Sequence, residues 1–287
     1  MSLNKKIINT VSTLLTVGVL YFAFVYGKHL LNEVNLSSIE FNYWLLTLSF
    51  ILFGVFYLLI AWHWQRVCRS VNKQANVEHQ NLAFFASQPY KYLPSSVFTF
   101  SFRAKFAKDL GMSVKQSSLA QLIENFNILG AGLVTSVIFY LASVSVYAGI
   151  GVSAVVALVF GVVIRNKSVA IIPKLKRRVA LDELSKNFVL IIGAWVVSGI
   201  SFWVLSASVG VALNPTIAIS ANAVAYVASI LAVFAPGGIG VRELVLALFS
   251  VSNGVIIFWR ILTFIADMVF GFAAILLLKK VTAIEKK

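Results

Sequence analysis

Runs of about twenty consecutive apolar residues recur along almost the whole chain, and no other feature restricts its fold so severely. A helix rises about 1.5 Å per residue, so about 20 residues cross the roughly 30 Å hydrocarbon layer of a bilayer. Six segments reach that length: 7 to 26, 43 to 62, 118 to 140, 146 to 164, 189 to 209 and 255 to 278. Of the 287 residues, 60% are hydrophobic and 12% charged, too few polar groups to cover a water-facing surface, so a bilayer must act as solvent. The expectation is an all-α polytopic membrane protein, a single integral membrane domain over 1–287, with its backbone polar groups paired inside helices. The first run follows Lys5 and Lys6, has no small-residue cleavage site and is closed by Lys28-His29; it reads as a retained span rather than a signal peptide.

The net charge of +14 would suggest nucleic acid in a soluble chain. Here Lys and Arg cluster between the apolar runs, where anionic lipid headgroups are the natural counter-charge, so no nucleic-acid partner is expected. A single cysteine, Cys68, excludes an internal disulfide, and His29, His63 and His79 are scattered, so no metal or other cofactor is expected. The connection 63 to 117 carries Arg66, Arg69, Lys73, Lys91, Arg103, Lys105, Lys108 and Lys115 against Glu78 and Asp109, and 165 to 188 is similarly basic. The positive-inside rule places both in the cytoplasm, with both termini.

Two further segments differ from ordinary spans: 80 to 110, centred on Tyr92-Leu93-Pro94-Ser95-Ser96, and 216 to 252, centred on Ala235-Pro236-Gly237-Gly238-Ile239-Gly240. In each, an apolar half meets Pro and small residues, and a second half carries an Arg, Arg103 or Arg242. Proline followed by Gly or Ser breaks a helix, and broken backbone at membrane depth must be buried in protein or line a wet cavity. Both segments are read as re-entrant helical hairpins, beside six full transmembrane helices; eight spans result if the hairpins cross. The order span, broken segment, span occurs twice, over about 43–140 and 189–278, and the charge-derived topology makes the two copies an inverted repeat. Interrupted segments at matching positions of inverted halves point to a transport site near the midplane.

Ionisable residues inside apolar segments cost about 2.5 to 3.5 kcal/mol at a helix centre on insertion scales, and are functional candidates for that reason. The candidates are Arg103, Glu124, Arg242, Glu243, Arg260 and Asp267, with Pro94, Ser95, Ser96, Pro236, Gly237, Gly238 and Gly240 as the broken-helix or gating set. Arg260 and Asp267 lie two helical turns apart and should both face the protein interior. A cavity lined by Arg103, Arg242 and Arg260 would suit a phosphate, because guanidinium matches phosphate oxygens with paired hydrogen bonds. The plainer alternative is that buried pairs, such as Arg242 with Glu124 or Asp267, only hold helices together. For Arg103 there is a further alternative, an interfacial basic helix with Lys105 and Lys108. Trp62, Trp64, Tyr90, Tyr92 and Tyr147 read as an aromatic belt, and Gly130, Gly132, Gly193 and Gly199 as close-packing positions.

The run Phe234-Ala235-Pro236-Gly237-Gly238-Ile239-Gly240-Val241-Arg242-Glu243 resembles the signature of the lysylphosphatidylglycerol synthase transmembrane-region family. Tyr92-Leu93-Pro94, Arg103, Leu110-Gly111-Met112-Ser113 and Glu124 are similar to that family's first motif, in which Pro, Gly, an acidic residue and Arg precede a span bearing Glu-Arg. The departures are Ser95, Ser96 and Thr99 or Ser101 where the family often has Gly and Glu, and Asn125 where its Arg would stand; they imply a first half-site altered in charge or specificity. The resemblance follows the segment order over almost the whole chain. It implies a bacterial cytoplasmic membrane and translocation of lipid between leaflets, since the synthase's membrane domain is regarded as the flippase for aminoacylated phosphatidylglycerol.

The leading expectation is a flippase-like transporter of an anionic phospho- or glycolipid, with no catalytic residues and with Arg242 and Arg260 receiving the headgroup phosphate. The competing reading is a membrane enzyme or accessory subunit of a lipid-linked glycan or lipid-modifying pathway, with Glu124, Glu243 or Asp267 as acid or base. Against it, no carboxylates are paired at short spacing, and the synthase's soluble transferase domain has no counterpart in the reading. A third is a scaffold for a lipid-modifying or glycosyltransferase enzyme, docked on the basic loop 165 to 188. A homo-oligomer is compatible with all three.

Overall fold

The computed structural model of the chain describes residues 40–72, 79–93, 96–165, 181–232 and 235–284. The expected first span at 7–26, both breaking residues Pro94 and Ser95, most of the basic connection after Arg165 and the terminal lysines lie outside the described residues. Within them every regular element is a helix.

The apolar run from Tyr43 becomes α1 (Tyr43–Val71), begun by Asn42, whose side chain accepts a hydrogen bond from the Leu45 amide at 3.2 Å. That satisfies one of the amides a helix start leaves without an intrahelical partner. With 29 residues the helix is about 44 Å long, so it continues past the expected end at 62 through its basic tail, Arg66 and Arg69. The first broken segment follows as α2 (Gln80–Ser87), a 3-10 turn (Gln88–Tyr92) and α3 (Ser96–Asp109). Pro89 sits in the first positions of that turn, so the helix changes character several residues before Pro94.

Next come α4 (Val114–Val144) and α5 (Val146–Arg165). α4 starts on a capping box: the Gln116 amide donates to the Ser113 hydroxyl at 3.2 Å, and the Ser113 amide donates to the Gln116 side-chain oxygen at 3.0 Å. The second half repeats the element order: α6 (Leu181–Ser208), α7 (Pro215–Leu231), a 3-10 turn (Pro236–Gly238), α8 (Val241–Leu248) and α9 (Asn253–Ile284). Gly237 and Gly238 in that turn hold φ of 57° and 70°, the left-handed region in which a Cβ is strained, which is why this break is written in glycine.

Helices α1, α4 and α9, and α6 from Asn187, are long and apolar enough to cross a membrane, while α7 and the described part of α5, Val146–Val156, are shorter apolar helices. Their outer faces carry exposed Leu48, Ile51 and Leu58 on α1 and Phe272 and Leu276 on α9, the lipid-facing surface of a multi-pass membrane protein.

α1 packs lengthwise on α6, α4 on α7 and α2 on α9. At the α1–α6 crossing Ser49 and Ser201 bond reciprocally, each hydroxyl donating to the other's carbonyl, at 2.8 and 2.7 Å. Around it Phe53, Phe56, Tyr57, Trp195, Phe202 and Trp259 form a buried aromatic core. α6 and α7 touch almost backbone to backbone, since a Cβ on Gly199 would stand 2.5 Å from the Ile219 Cα; Gly132 likewise admits Val227, whereas Gly193 meets nothing. The aromatic belt is corrected in part. Trp62 and Tyr147 are exposed, but Trp64 is fully buried, donating to the Gln80 carbonyl at 3.0 Å, and Tyr92 is held inside the protein.

Candidate functional site

Where the two breaks meet, the helices leave a cavity of about 140 Å³. Its walls come from both halves: Tyr57 of α1, Gln88 and Lys91 of the first turn, Thr99 and Arg103 of α3, and Gln121, Glu124, Asn125 and Ile128 of α4. Opposite them stand Trp195 of α6, Tyr226 and Ser229 of α7, Gly237 and Gly238 of the second turn, and Arg242 of α8. The four α4 residues follow i, i+3, i+4, i+7 spacing, which puts them on one helix face. The turns are in direct contact, because a Cβ on Gly237 would lie 2.9 Å from the Tyr92 ring.

Three ion pairs surround the cavity. Arg103 Nη1 meets Glu124 Oε2 at 2.5 Å, its Nε donates to the Ser87 hydroxyl at 3.0 Å, and its guanidinium lies over the Phe84 and Trp64 rings. Lys91 Nζ meets Asp267 Oδ2 at 2.5 Å, and the Tyr92 hydroxyl donates to that same oxygen at 2.6 Å, so α9 holds the first break by both neighbours. Arg260 Nε meets Glu243 Oε1 at 2.6 Å, while its Nη1 donates to the Gly237 carbonyl at 3.1 Å. The other Glu243 oxygen accepts from the Gly240 amide at 2.7 Å, capping α8. In each half, then, the helix after the break is tied to the next long helix by an Arg–Glu pair, with the order of charges reversed.

Arg242 differs from the other buried cations. It is only 4% exposed, stacks over the Tyr226 ring at 4.3 Å and donates a long 3.4 Å bond to Ser229, and has no carboxylate partner among the described residues. Its Nε is buried without any hydrogen-bond partner. A guanidinium in this condition can grip an oxyanion with parallel N–H donors, and burial makes the anion's arrival more favourable than in water.

Of the residues anticipated from sequence, Arg103, Glu124, Arg242, Gly237 and Gly238 line the cavity. Glu243, Arg260 and Asp267 do not; they stand behind the wall and fix the two breaks through the pairs just described. Pro236 lies in the second turn, Gly240 caps α8, and Ser96 begins α3. Arg242 pairs with neither Glu124 nor Asp267, which take Arg103 and Lys91 instead. The interfacial reading of Arg103 is overturned by its burial, although Lys105 and Lys108 on the same helix are exposed. Lys91, Tyr226 and Gln121 went unnoticed in the sequence. Lys91 sits among the basic residues of a connection, and only the helix-breaking Pro89 two residues earlier hints that the chain has already turned inward.

No group of His, Cys, Asp or Glu able to hold a metal occurs among the described residues. Comparison with curated proteins and with solved structures found no match. The family described as Lysylphosphatidylglycerol synthase TM region matches residues 9–275, nearly the entire length, and the chain belongs to that family.

Proposed function

We propose that the protein is a flippase-like transporter that carries an anionic phospho- or glycolipid between leaflets of the bacterial cytoplasmic membrane, receiving the headgroup phosphate at Arg242. The observation that carries this reading is the unpaired, buried guanidinium on a cavity bounded by both broken segments. A charge left so in a membrane protein is costly unless a counter-ion arrives, and a lipid phosphate is the anion present at highest density there. Arg260, a second phosphate ligand by sequence, is spent on Glu243 and Gly237, so Arg242 is the headgroup contact and Arg260 supports the second break.

The alternating motion belongs to two inverted halves, 43–140 and 189–278, with both termini in the cytoplasm. Supporting this, the interhelix contacts pair off as a twofold relation requires: α4 on α7 corresponds to α2 on α9, and α1 on α6 corresponds to itself through the reciprocal Ser49–Ser201 bonds. The first turn contacting the second is likewise its own counterpart. Among the lining residues Glu124 is the one carboxylate, and Arg103 occupies it, an arrangement that offers no acid and base pair and favours transport over lipid chemistry.

The test is leaflet exchange of fluorescent anionic and zwitterionic lipids in liposomes holding the purified protein. Exchange of anionic lipid that Arg242→Met abolishes and Arg242→Lys partly retains is the expected result. Equal exchange by wild type and Arg242→Met would refute the assignment.

A further inference from the structure

The cavity also selects what is attached to the phosphate, an inference that rests on the transport reading given above. Among the described residues around the cavity, Lys91, Arg103 and Arg260 are matched one to one by Asp267, Glu124 and Glu243, and Arg242 leaves one positive charge over. One phosphodiester neutralises it. A diphosphate would bring further negative charge, and a headgroup with an added ammonium would leave a buried positive charge beside Lys91, Arg103 and Arg242, where the described carboxylates, Glu124 among them, already each balance a cation.

Apart from Arg242 Nε, the buried polar atoms without a partner on the described lining residues are oxygens able to accept. Gln121 spends its amide nitrogen on the Phe100 carbonyl at 3.2 Å and the Ser117 hydroxyl at 3.4 Å; a carbonyl can only accept, so this fixes the amide's orientation and leaves Oε1 as the spare end. That oxygen, Glu124 Oε1 and Thr99 Oγ1 are buried and have no partner. Asn125 likewise donates through its nitrogen, to the main-chain carbonyl of Gln121 at 2.7 Å. Buried polar groups are nearly always satisfied in folded proteins, so oxygens without partners on residues around one cavity call for donors, and the charge balance requires those donors to be uncharged.

We propose that the preferred cargo is a lipid with one phosphodiester and a neutral, hydroxyl-bearing headgroup of the glycerol, inositol or sugar type, its phosphate on Arg242 and its hydroxyls donated to Gln121, Glu124 and Thr99. Choline, ethanolamine and aminoacylated headgroups are rejected by the same cations. Such selection is strong in principle, because a site built to hydrogen-bond hydroxyls leaves its acceptors unpaired when an analogue lacks them.

Headgroups freed of their acyl chains test this without requiring any transport. The purified protein in detergent is titrated with the methyl diesters of phosphoglycerol, phosphoinositol and phosphocholine and with dimethyl phosphate, and binding is read by calorimetry. The expected result is at least tenfold tighter binding of the glycerol and inositol diesters than of the choline diester. Gln121→Met and Thr99→Val should each erase much of that difference while leaving dimethyl phosphate binding at Arg242 intact, so a variant that merely misfolds is recognised by losing both. Equal binding of all diesters would overturn the headgroup assignment and leave the phosphate site standing. Binding of the choline diester as the tightest, or of none of them, would also overturn it. Selective binding without leaflet exchange of any lipid would sustain this inference and reject the transport reading.

Discussion

Replacing Glu124 by Leu should be far more damaging than removing Glu124 and Arg103 together. The carboxylate is 1% exposed and Arg103 7% exposed, and their contact is 2.5 Å. Deleting one partner of a buried pair typically costs about 3 to 5 kcal/mol, because the survivor stays buried as an uncompensated charge. Here Arg103 would keep the Ser87 hydroxyl and the Phe84 and Trp64 ring faces, which offset part of the loss, so about 3 kcal/mol is expected. At about 1.4 kcal/mol per tenfold, the unfolding constant rises roughly a hundredfold. The double variant Arg103→Met with Glu124→Leu buries no charge and should come within about 1 kcal/mol of wild type. Unfolding by SDS titration from mixed micelles, followed by tryptophan fluorescence with Trp64 lying 5.2 Å from the Arg103 guanidinium, measures both. A double variant as unstable as the single one would show that packing, not charge, sets the cost, and the reasoning would fail.

Ser49→Ala removes the bond its hydroxyl donates to the Ser201 carbonyl and leaves the Ser201 hydroxyl donating to the Ser49 carbonyl; at about 0.6 kcal/mol per interhelical bond in membranes, a loss of about that size is expected in the same titration. Gly237→Ala places a Cβ at φ 57° and 2.9 Å from the Tyr92 ring, so it should cost more than the about 1 to 2 kcal/mol of left-handed backbone alone and slow leaflet exchange; full activity would count against contact between the breaks. Asp267→Asn leaves Lys91 and Tyr92 with a neutral partner and should cost about 1.5 to 3 kcal/mol. In that variant a cysteine introduced by Leu93→Cys, with Cys68→Ser, should react faster with a water-soluble maleimide than in the presence of Asp267; an unchanged rate would show that the last helix does not hold the first break.

The four spans at 43–62, 118–140, 189–209 and 255–278 and the second break were legible because they are properties of one segment: a run of apolar residues has a length, and Pro-Gly-Gly breaks a helix wherever it sits. The charged candidates were legible for a similar reason, since Glu124, Arg242 and Asp267 stand out against apolar neighbours. Who meets whom was not, because partners are set by how helices pack. Glu124 and Asp267 were assigned the wrong cation, and Lys91 was counted among loop charges because it falls in the basic connection 63 to 117. Arg260 and Asp267 share an inward face as their spacing indicates, yet α8 reaches one and the first turn reaches the other. Trp64 was misjudged since proximity to a span end says nothing of which side of the helix is covered by α2.

The paired charges around the cavity bear on membrane voltage. A potential of 100 mV does about 2.3 kcal/mol of work on each elementary charge that crosses it. Arg103–Glu124 lies within the first half and Arg260–Glu243 within the second, so each moves as a neutral unit, while Lys91–Asp267 joins the halves and is neutral as long as the pair is intact. Arg242 alone is unbalanced, and a bound phosphodiester cancels it. On the transport reading, and with that pair intact, the charges around the cavity make the loaded stroke electroneutral, and the field acts on Arg242 in the empty protein.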